Sequence, residues 1–170
     1  REPRGRRSLG FMQLPDSDQP LARRAMDAAF AESEAAAARG EVPVGAAVVD
    51  PAAGAVLASA GNRVEELGDP TAHAEMLAIR AACALRGGPR LAGCDLYVTL
   101  EPCAMCAGAI SMARLRRVVF AAYDPKGGGV EHGPRFFQQR TCHHAPEVVG
   151  GVEERRAADL LRAFFALRRD

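Results

Sequence analysis

Apolar positions in the sequence recur at two spacings, one typical of helices and one typical of strands. Segments with apolar residues every three or four positions predict helices over residues 21–39, 72–86, 103–113 and 153–168. Short runs rich in Val, Ala or Leu predict strands over residues 42–49, 55–60, 96–100, 117–122 and 148–152. Turn residues at 50–54 join the first two strands, which indicates a hairpin. Thr71 is the expected N-cap of the second helix.

After the hairpin, the predicted helices and strands alternate. Crossover helices must cover both faces of a largely parallel sheet. The order therefore predicts an α/β fold, a three-layer α/β/α sandwich around a mixed five-stranded sheet. A chain of 170 residues, 48% of them hydrophobic, suits one compact domain better than two. We expect that domain to cover residues 21–170.

The first 20 residues contain four arginines and three prolines and show little apolar periodicity. Such a segment buries too little surface to offset the entropy of ordering, so we expect residues 1–20 to be a disordered leader. Met12 is a candidate natural start, in which case residues 1–11 would be an extension.

Charge and cysteine content narrow the functional classes. A formal net charge of +1 gives no molecule-wide attraction to nucleic acid, so any such site must be local. No run reaches the roughly 20 apolar residues of a membrane helix, and no secretory core follows the arginines, so a cytoplasmic protein without a membrane partner is expected. The five cysteines are scattered except for Cys103 and Cys106, which does not resemble a disulfide framework.

The strongest chemical signal is a pair of short motifs at two predicted helix starts. These are HAE at residues 73–75 and PCAMC at residues 102–106. One imidazole and two thiolates, from His73, Cys103 and Cys106, supply three ligands for tetrahedral zinc and leave the fourth position for water. An open position indicates a catalytic metal, because zinc with four protein ligands is structural.

Glu75 is the candidate general acid and base. Bound zinc lowers the pKa of water to about 7, and the resulting nucleophile still needs a group that moves protons. Glu75 follows His73 by two residues, close enough to face the metal-bound water without being a ligand. HxE followed by PCxxC is the known signature of zinc deaminases that act on nucleobases.

Beyond the zinc motif, the chain resembles the bacterial tRNA-specific adenosine deaminases, members of the cytidine/deoxycytidylate deaminase superfamily, from about residue 21 to residue 169. The segments that carry the resemblance are EVPVGA (41–46), GNR (61–63), DPTAHAE (69–75), LYVTLEPC (96–103), CAGA (106–109) and RVVF (117–120). The resemblance implies a cytidine deaminase-like fold, one Zn²⁺ per subunit and a homodimer. It also implies hydrolysis of the wobble adenosine of a tRNA anticodon stem-loop to inosine, with release of ammonia.

The resemblance further implies a set of substrate contacts. Asn62 would bind the flipped-out purine, and the backbone around Ala74 and Pro102 would hold its reacting edge. On local sequence alone, an Asn after Gly is more often a turn former. The candidate RNA contacts are Asp124, Lys126, Phe164 and Arg168, although core packing is the more common duty of a helical phenylalanine.

Other interpretations stay open at this stage. A deaminase of a free base or nucleoside, such as guanine or cytosine, would share the zinc chemistry. A catalytically silent zinc- or RNA-binding subunit would be expected to lack Glu75, and a redox CxxC protein would work without metal. The cluster of Cys142, His143 and His144 is a weak second metal candidate, and Cys83 and Cys94 are expected to be packed thiols.

Overall fold

The computed structural model describes residues 10–169, which form a five-stranded sheet with helices on both faces. The strands are β1 (Gly45–Asp50), β2 (Ala55–Gly61), β3 (Asp95–Leu100), β4 (Arg117–Ala122) and β5 (Glu147–Gly150). The helices are α1 (Gln19–Ala38), α2 (Val64–Leu67), α3 (Ala74–Arg86), α4 (Ala104–Met112) and α5 (Glu154–Ala166). Within residues 10–169, no helix combines the length and the apolarity needed to cross a membrane.

The sheet is mixed, as predicted, with the strand order β2-β1-β3-β4-β5. β1 is antiparallel to both β2 and β3, whereas β3, β4 and β5 are parallel to one another. The central strands are buried on both faces, as expected for strands that lie between two helical layers. The three-layer α/β/α prediction is therefore confirmed.

Two hydrophobic clusters form the core, one on each face of the sheet. Alternate residues of a strand point to opposite faces, so Leu96 and Val98 join one cluster while Tyr97 joins the other. The first cluster packs beneath α3 and α4, and the second packs beneath α1 and α5. The helices that begin with the predicted metal ligands thus share one layer.

The expected disorder of residues 1–20 is wrong for residues 10–20, and residues 1–9 lie outside the described part of the chain. Gly10–Gln13 forms a 3-10 turn, and the side chains of Phe11 and Leu14 are buried in the second core cluster. The guanidinium of Arg23 also lies 4.6 Å from the Phe11 ring centroid. Two well-placed apolar side chains are enough to hold this segment, although they produce no periodic pattern.

Three local predictions also need correction. Thr71 does not cap the second helix: its hydroxyl donates to Asp69 Oδ1 at 2.7 Å, and α3 begins after His73. The first strand begins at Gly45 rather than residue 42, and the four-residue helix α2 was not predicted. The last strand ends at Gly150 because Gly151 has a φ of 82°.

Candidate active site

The three predicted metal ligands meet where α3 and α4 begin. His73 and Cys103 are the N-cap residues of these helices, with extended backbone, and Cys106 lies in the first turn of α4. Neither helix start is capped by the side chain of its own N-cap residue. These side chains are therefore directed to a common point rather than used to satisfy backbone N–H groups.

The ligand atoms are spaced as a tetrahedral zinc site requires. His73 Nδ1 lies 3.7 Å from Cys103 Sγ and 3.6 Å from Cys106 Sγ. Zinc bonds of about 2.3 Å to sulfur and about 2.0–2.1 Å to nitrogen, at tetrahedral angles, put the two atoms about 3.5 Å apart. Within residues 10–169, this cluster is the one group of at least three His, Cys, Asp or Glu side chains close enough to hold an ion.

The electrostatics of the cluster favour a thiolate. A hydrogen bond from Cys106 lowers the pKa of Cys103 to about 4, and His73 and the backbone N–H of Cys106 act in the same direction. The pKa of Cys106 is raised because its thiol donates to Cys103 and is buried. The contact with Cys103 also raises the pKa of His73. The contacts among these three side chains thus favour the charged form of Cys103.

Glu75 lies in the first turn of α3 and is 4% exposed. Burial raises the pKa of its carboxyl group, and the nearby Cys103 thiol adds to that shift. A carboxyl group with a raised pKa both accepts and donates a proton more readily near neutral pH. The structure thus gives Glu75 the properties that the sequence predicted for a proton carrier.

A cleft of about 600 Å³ opens above the ligand cluster. Its floor includes His73, Glu75 and Cys103, and its walls include Asn62, Val42 and Phe164. Such a volume lies in the range of small-molecule sites and accommodates one nucleobase with part of its sugar. The cleft therefore joins a chemically activated cluster to a space of suitable size.

The predicted substrate residues occupy different positions around this cleft. Asn62 lines it, and its side chain already holds two backbone groups: Oδ1 accepts the N–H of Ala74 at 2.9 Å, and Nδ2 donates to Val42 O at 3.2 Å. Ala74 and Pro102 are buried, and neither is among the described residues that line the cleft. The Pro102 carbonyl accepts the N–H of Gly129 at 2.8 Å.

Three of the four predicted RNA contacts line the cleft. Asp124 lies on one wall, while Phe164 and Arg168 of the C-terminal segment lie on another. The guanidinium of Arg168 stacks on the Phe164 ring at 3.5 Å, and Phe164 is 7% exposed, so this phenylalanine belongs to the core as well. The Lys126 side chain is exposed and does not line the cleft, although its backbone N–H donates to Asp124 Oδ1.

Two buried carboxylates in the cleft walls were missed by the sequence analysis. Glu41 accepts the backbone N–H groups of Glu65 and Glu66 at the start of α2, at 2.7 and 3.0 Å. Glu101 accepts N–H groups from the loop that follows β4. Both residues stand in segments that carry the family resemblance, EVPVGA and LYVTLEPC, and that was the only available signal.

Of the cysteine and histidine residues at 142–144, Cys142 and His144 have other contacts, and His143 is exposed. Cys142 Sγ lies 3.6 Å from Ser111 Oγ, and His144 Nε2 donates to the Leu115 carbonyl at 2.7 Å. These contacts attach the segment before β5 to the end of α4. Cys94 is buried and Cys83 is partly buried.

An α/β/α sandwich that places one histidine, two cysteines and a buried glutamate at two neighbouring helix starts has the architecture of a zinc-dependent deaminase. Residues 20–122 match the family model described as the cytidine and deoxycytidylate deaminase zinc-binding region. The chain belongs to this family, within its tRNA-specific adenosine deaminase branch.

Relatives and solved structures show the degree of likeness. The tRNA-specific adenosine deaminase of Agrobacterium fabrum is 56% identical over 144 residues, which are 85% of this chain and 93% of the relative. A structure from studies of A-to-I editing by tRNA:A34 deaminases at the wobble position of transfer RNA has a TM-score of 0.79 at 55% identity, covering 82% of this chain and 99% of that one. Guanine deaminase from Nitrosomonas europaea has a TM-score of 0.74 at 25% identity, covering 90% and 94%.

Proposed function

We propose that this protein hydrolyses adenosine to inosine at the wobble position of a tRNA anticodon, releasing ammonia. The observation that carries the proposal is the cluster of His73, Cys103 and Cys106 beside buried Glu75 at the floor of the cleft. Identity of 56% over 85% of this chain to a tRNA-specific adenosine deaminase favours the tRNA substrate over a free base, because the identity to two guanine deaminases is 25% over 90% of the chain and 40% over 59%.

In this proposal, His73, Cys103 and Cys106 hold one Zn²⁺ per subunit. When bound, zinc supplies a fourth coordination position where water becomes acidic enough to act as a nucleophile. Glu75 takes a proton from the attacking water and gives it to the ring nitrogen beside C6. It then takes the remaining proton of the hydroxyl group added at C6 and gives it to the departing amine, as the C6 carbonyl forms and the C–N bond breaks. The balance is adenosine plus water to inosine plus ammonia, with Glu75 returned to its initial state.

The target base must leave the anticodon stack to reach the cleft floor. Asn62 is proposed to bind the purine with the amide hydrogen that its two internal contacts leave over. The backbone around Ala74 and Pro102 is proposed to hold the reacting edge of the purine. These residues directly adjoin the candidate ligands His73 and Cys103 in the chain. Asp124, Lys126, Phe164 and Arg168 are proposed to contact the flanking nucleotides, three of them from the cleft walls and Lys126 from outside it.

A homodimer and a cytoplasmic location complete the proposal. The helix α4 exposes Met105 and Met112, which are 36% and 79% exposed, and the exposed positions of this helix carry no charge. Exposed apolar side chains two turns apart on one uncharged helix favour burial against a second copy of the chain. Light scattering of the purified protein measures this, and a monomeric mass at micromolar concentration would contradict the dimer.

The test of the function is inosine formation in a short anticodon stem-loop RNA that carries adenosine at the wobble position. The matched control is the same RNA with that adenosine moved into the stem, and free adenosine, guanine and cytidine are run alongside. Inosine only in the wobble substrate is expected. Turnover only of a free base or nucleoside would overturn the substrate and keep the zinc chemistry, whereas no turnover by zinc-loaded protein would favour the silent subunit.

A further inference from the structure

Glu101 has an unusual set of contacts for a carboxylate that the reaction does not use. Its side chain is fully buried, and its two oxygens face one loop. Oε1 accepts the N–H of Asp124 at 3.1 Å and lies 2.8 Å from Nδ1 of His132. Oε2 accepts the N–H groups of Val130, Glu131 and His132 at 3.3, 3.1 and 3.1 Å. Five donors thus converge on one side chain.

The loop needs this acceptor because it has little regular structure of its own. Residues 123–132 contain neither a helix nor a strand in the described chain. Their buried backbone N–H groups require partners from elsewhere. Charge-assisted hydrogen bonds to a carboxylate are roughly twice as strong as neutral hydrogen bonds. The Glu101 side chain therefore supplies strong acceptors for N–H groups that have no neighbouring strand to pair with.

Two glycines show how closely the loop approaches this anchor. A Cβ on Gly128 would lie 2.2 Å from Glu101 Oε2, and a Cβ on Gly129 would lie 2.5 Å from the backbone nitrogen of Ala104. The N–H of Gly129 also donates to the Pro102 carbonyl. The loop is therefore held against both Glu101 and the start of α4, the helix that carries the two cysteines.

The anchored loop is also a wall of the cleft. Asp124 and Gly127 line the cleft together with Glu101 itself, and Val42 and Asn62 also line it. Asp124 is in turn fixed by its own Oδ1, which accepts the N–H groups of Lys126 and Gly127. A shift of the loop would therefore change the width of the cleft without moving His73 or Glu75.

We propose that Glu101 is a positioning residue for RNA binding, which fixes the loop 124–132 at the distance from the ligand cluster that the substrate requires. This inference rests on the proposed function, since it takes a tRNA anticodon as the ligand. Two residues that are close in the chain would thus have different tasks: Cys103 holds the metal, and Glu101 positions the loop that lines the cleft beside it.

The variant that tests this is Glu101→Gln. An amide of the same size cannot accept at both ends, so at least the Asp124 N–H or the group from Val130 to His132 loses its acceptor. The matched control is Asp95→Asn. Asp95 lies at the opposite end of β3, is 1% exposed and accepts two hydrogen bonds from Arg116, so the same chemical change is made on the same strand away from the loop.

Three measurements on the zinc-loaded protein are compared. Zinc content is expected to be unchanged in Glu101→Gln, and amide exchange at Asp124 and residues 130–132 is expected to be faster. The KM for the wobble stem-loop is expected to rise about tenfold, with kcat at saturating RNA changed by less than about threefold. The Asp95→Asn control is expected to lower thermal stability while leaving the exchange of these loop amides and KM unchanged.

A second variant covers the case in which Glu101→Gln fails to fold. His132→Ala removes the ring contact and keeps every backbone N–H, and His132 lies on the partly exposed side of the loop. It is expected to raise KM in the same direction by a smaller factor. Unchanged KM in a variant with faster loop exchange, or unchanged loop exchange in Glu101→Gln, would overturn the proposal.

The outcome for the function itself stays separate. If zinc-loaded wild-type protein forms no inosine, the proposed function fails, and the stem-loop Kd from fluorescence anisotropy replaces KM in the comparison of variants. A tenfold weaker Kd for Glu101→Gln would still support the anchor. Wild-type protein that binds no stem-loop would overturn both proposals.

Discussion

Single residues in the site differ in the direction of their pKa shifts: the pKa of Cys103 is lowered, whereas those of Cys106 and Glu75 are raised. The pKa of Cys103 is lowered to about 4 by the hydrogen bond from Cys106, which suits a metal ligand. Burial raises the pKa of Glu75, which suits a group that must hold a proton during part of the cycle. Two acidic groups at neighbouring helix starts are thus tuned in opposite directions by hydrogen bonding and by desolvation.

Replacement of Glu75 by Gln is expected to lower kcat/KM on the wobble stem-loop by about 10²–10⁴-fold, because the amide cannot carry the proton. Zinc content and thermal stability should remain close to those of the wild type, since size and burial are kept. Metal analysis and single-turnover kinetics measure the two effects. Glu34→Gln, an exposed change on α1, serves as the control, and near-normal turnover by Glu75→Gln would refute the assigned role.

Asp18 offers a pH test away from the site. The hydrogen bond from Arg117, 2.8 Å long, holds the pKa of Asp18 below its ordinary value of 3.8. A lowered folded-state pKa contributes stability that is present above 3.8 and is lost as the pH falls through the folded value. Asp18→Asn should therefore destabilise by about 1 kcal/mol at neutral pH.

The Asp18→Asn difference should shrink as the pH is lowered below 3.8. Urea unfolding of wild type and variant at several pH values measures it. Asp16→Asn is the neighbouring control, because Asp16 is exposed and, among residues 10–169, its carboxylate accepts a side-chain hydrogen bond from Gln19 alone. A constant difference between wild type and Asp18→Asn at all pH values would contradict the linkage to Asp18.

Residue spacing in the sequence was enough to single out the candidate ligands and the candidate proton carrier, but not the residues that support them. His73, Glu75, Cys103 and Cys106 fall in two short motifs because two helix starts supply them. Glu101 acts on a loop 23 to 31 residues away, and a contact of that kind leaves no periodic trace. Asn62 was predicted as a purine contact, but the sequence did not indicate that its side chain accepts the N–H of Ala74.

Among the elements, α1 and β1 lie so close together that only a glycine fits at their contact. A Cβ on Gly45 would lie 1.8 Å from the Ala29 carbonyl oxygen and 2.6 Å from the Ser33 nitrogen, both backbone atoms of α1. The helix can therefore approach the sheet only because the first residue of β1 has no side chain. This approach also holds the segment from Glu41 to Val44 that lines the cleft.

Gly45→Ala is expected to destabilise the protein by about 3 kcal/mol or more, since backbone atoms cannot move aside as a flexible side chain does. Gly88→Ala is the control, because nothing lies within 4 Å of the added methyl group, and it should change stability by less than about 0.5 kcal/mol. Thermal unfolding of both variants decides the matter. Equal stability of the two would show that α1 does not pack against β1 at this distance.

The type and order of the long elements were predictable, and their ends were less so. Periodicity predicted a helix over residues 72–86, whereas α3 begins at Ala74, and its first N–H is capped by Asn62 rather than by Thr71. The helix α2 has four residues, too few for any apolar period to show, and its N–H groups depend on Glu41. Tertiary contacts thus decide what local propensity leaves open.

Taken as a whole, the molecule closes its second core with the segment before α1. Phe11 and Leu14 pack in the same cluster as residues of α1, α5 and four strands. The Gln13 side chain also donates to the Gly150 carbonyl at the end of β5. The segment therefore connects α1 to β5, the strand at the edge of the sheet. Composition alone predicted a disordered leader here.

Phe11→Ala is expected to lower the free energy of unfolding by about 3 kcal/mol, through lost burial and the cavity that remains. Met12→Ala is the adjacent control: Met12 is 74% exposed, so its truncation should cost less than about 0.5 kcal/mol. Guanidinium unfolding of the two variants provides the comparison. Equal stability would mean that the segment does not pack as described.

The walls of the cleft come from parts of the chain that supply no metal ligand. All three ligands precede residue 107, whereas Asp124, Gly127, Phe164 and Arg168 all follow it. Inactivating changes should consequently fall into two groups that different assays detect. A screen that measures bound zinc will record as normal a variant in which only the side chain of Asp124 or Arg168 is changed, and only an assay with RNA will find it.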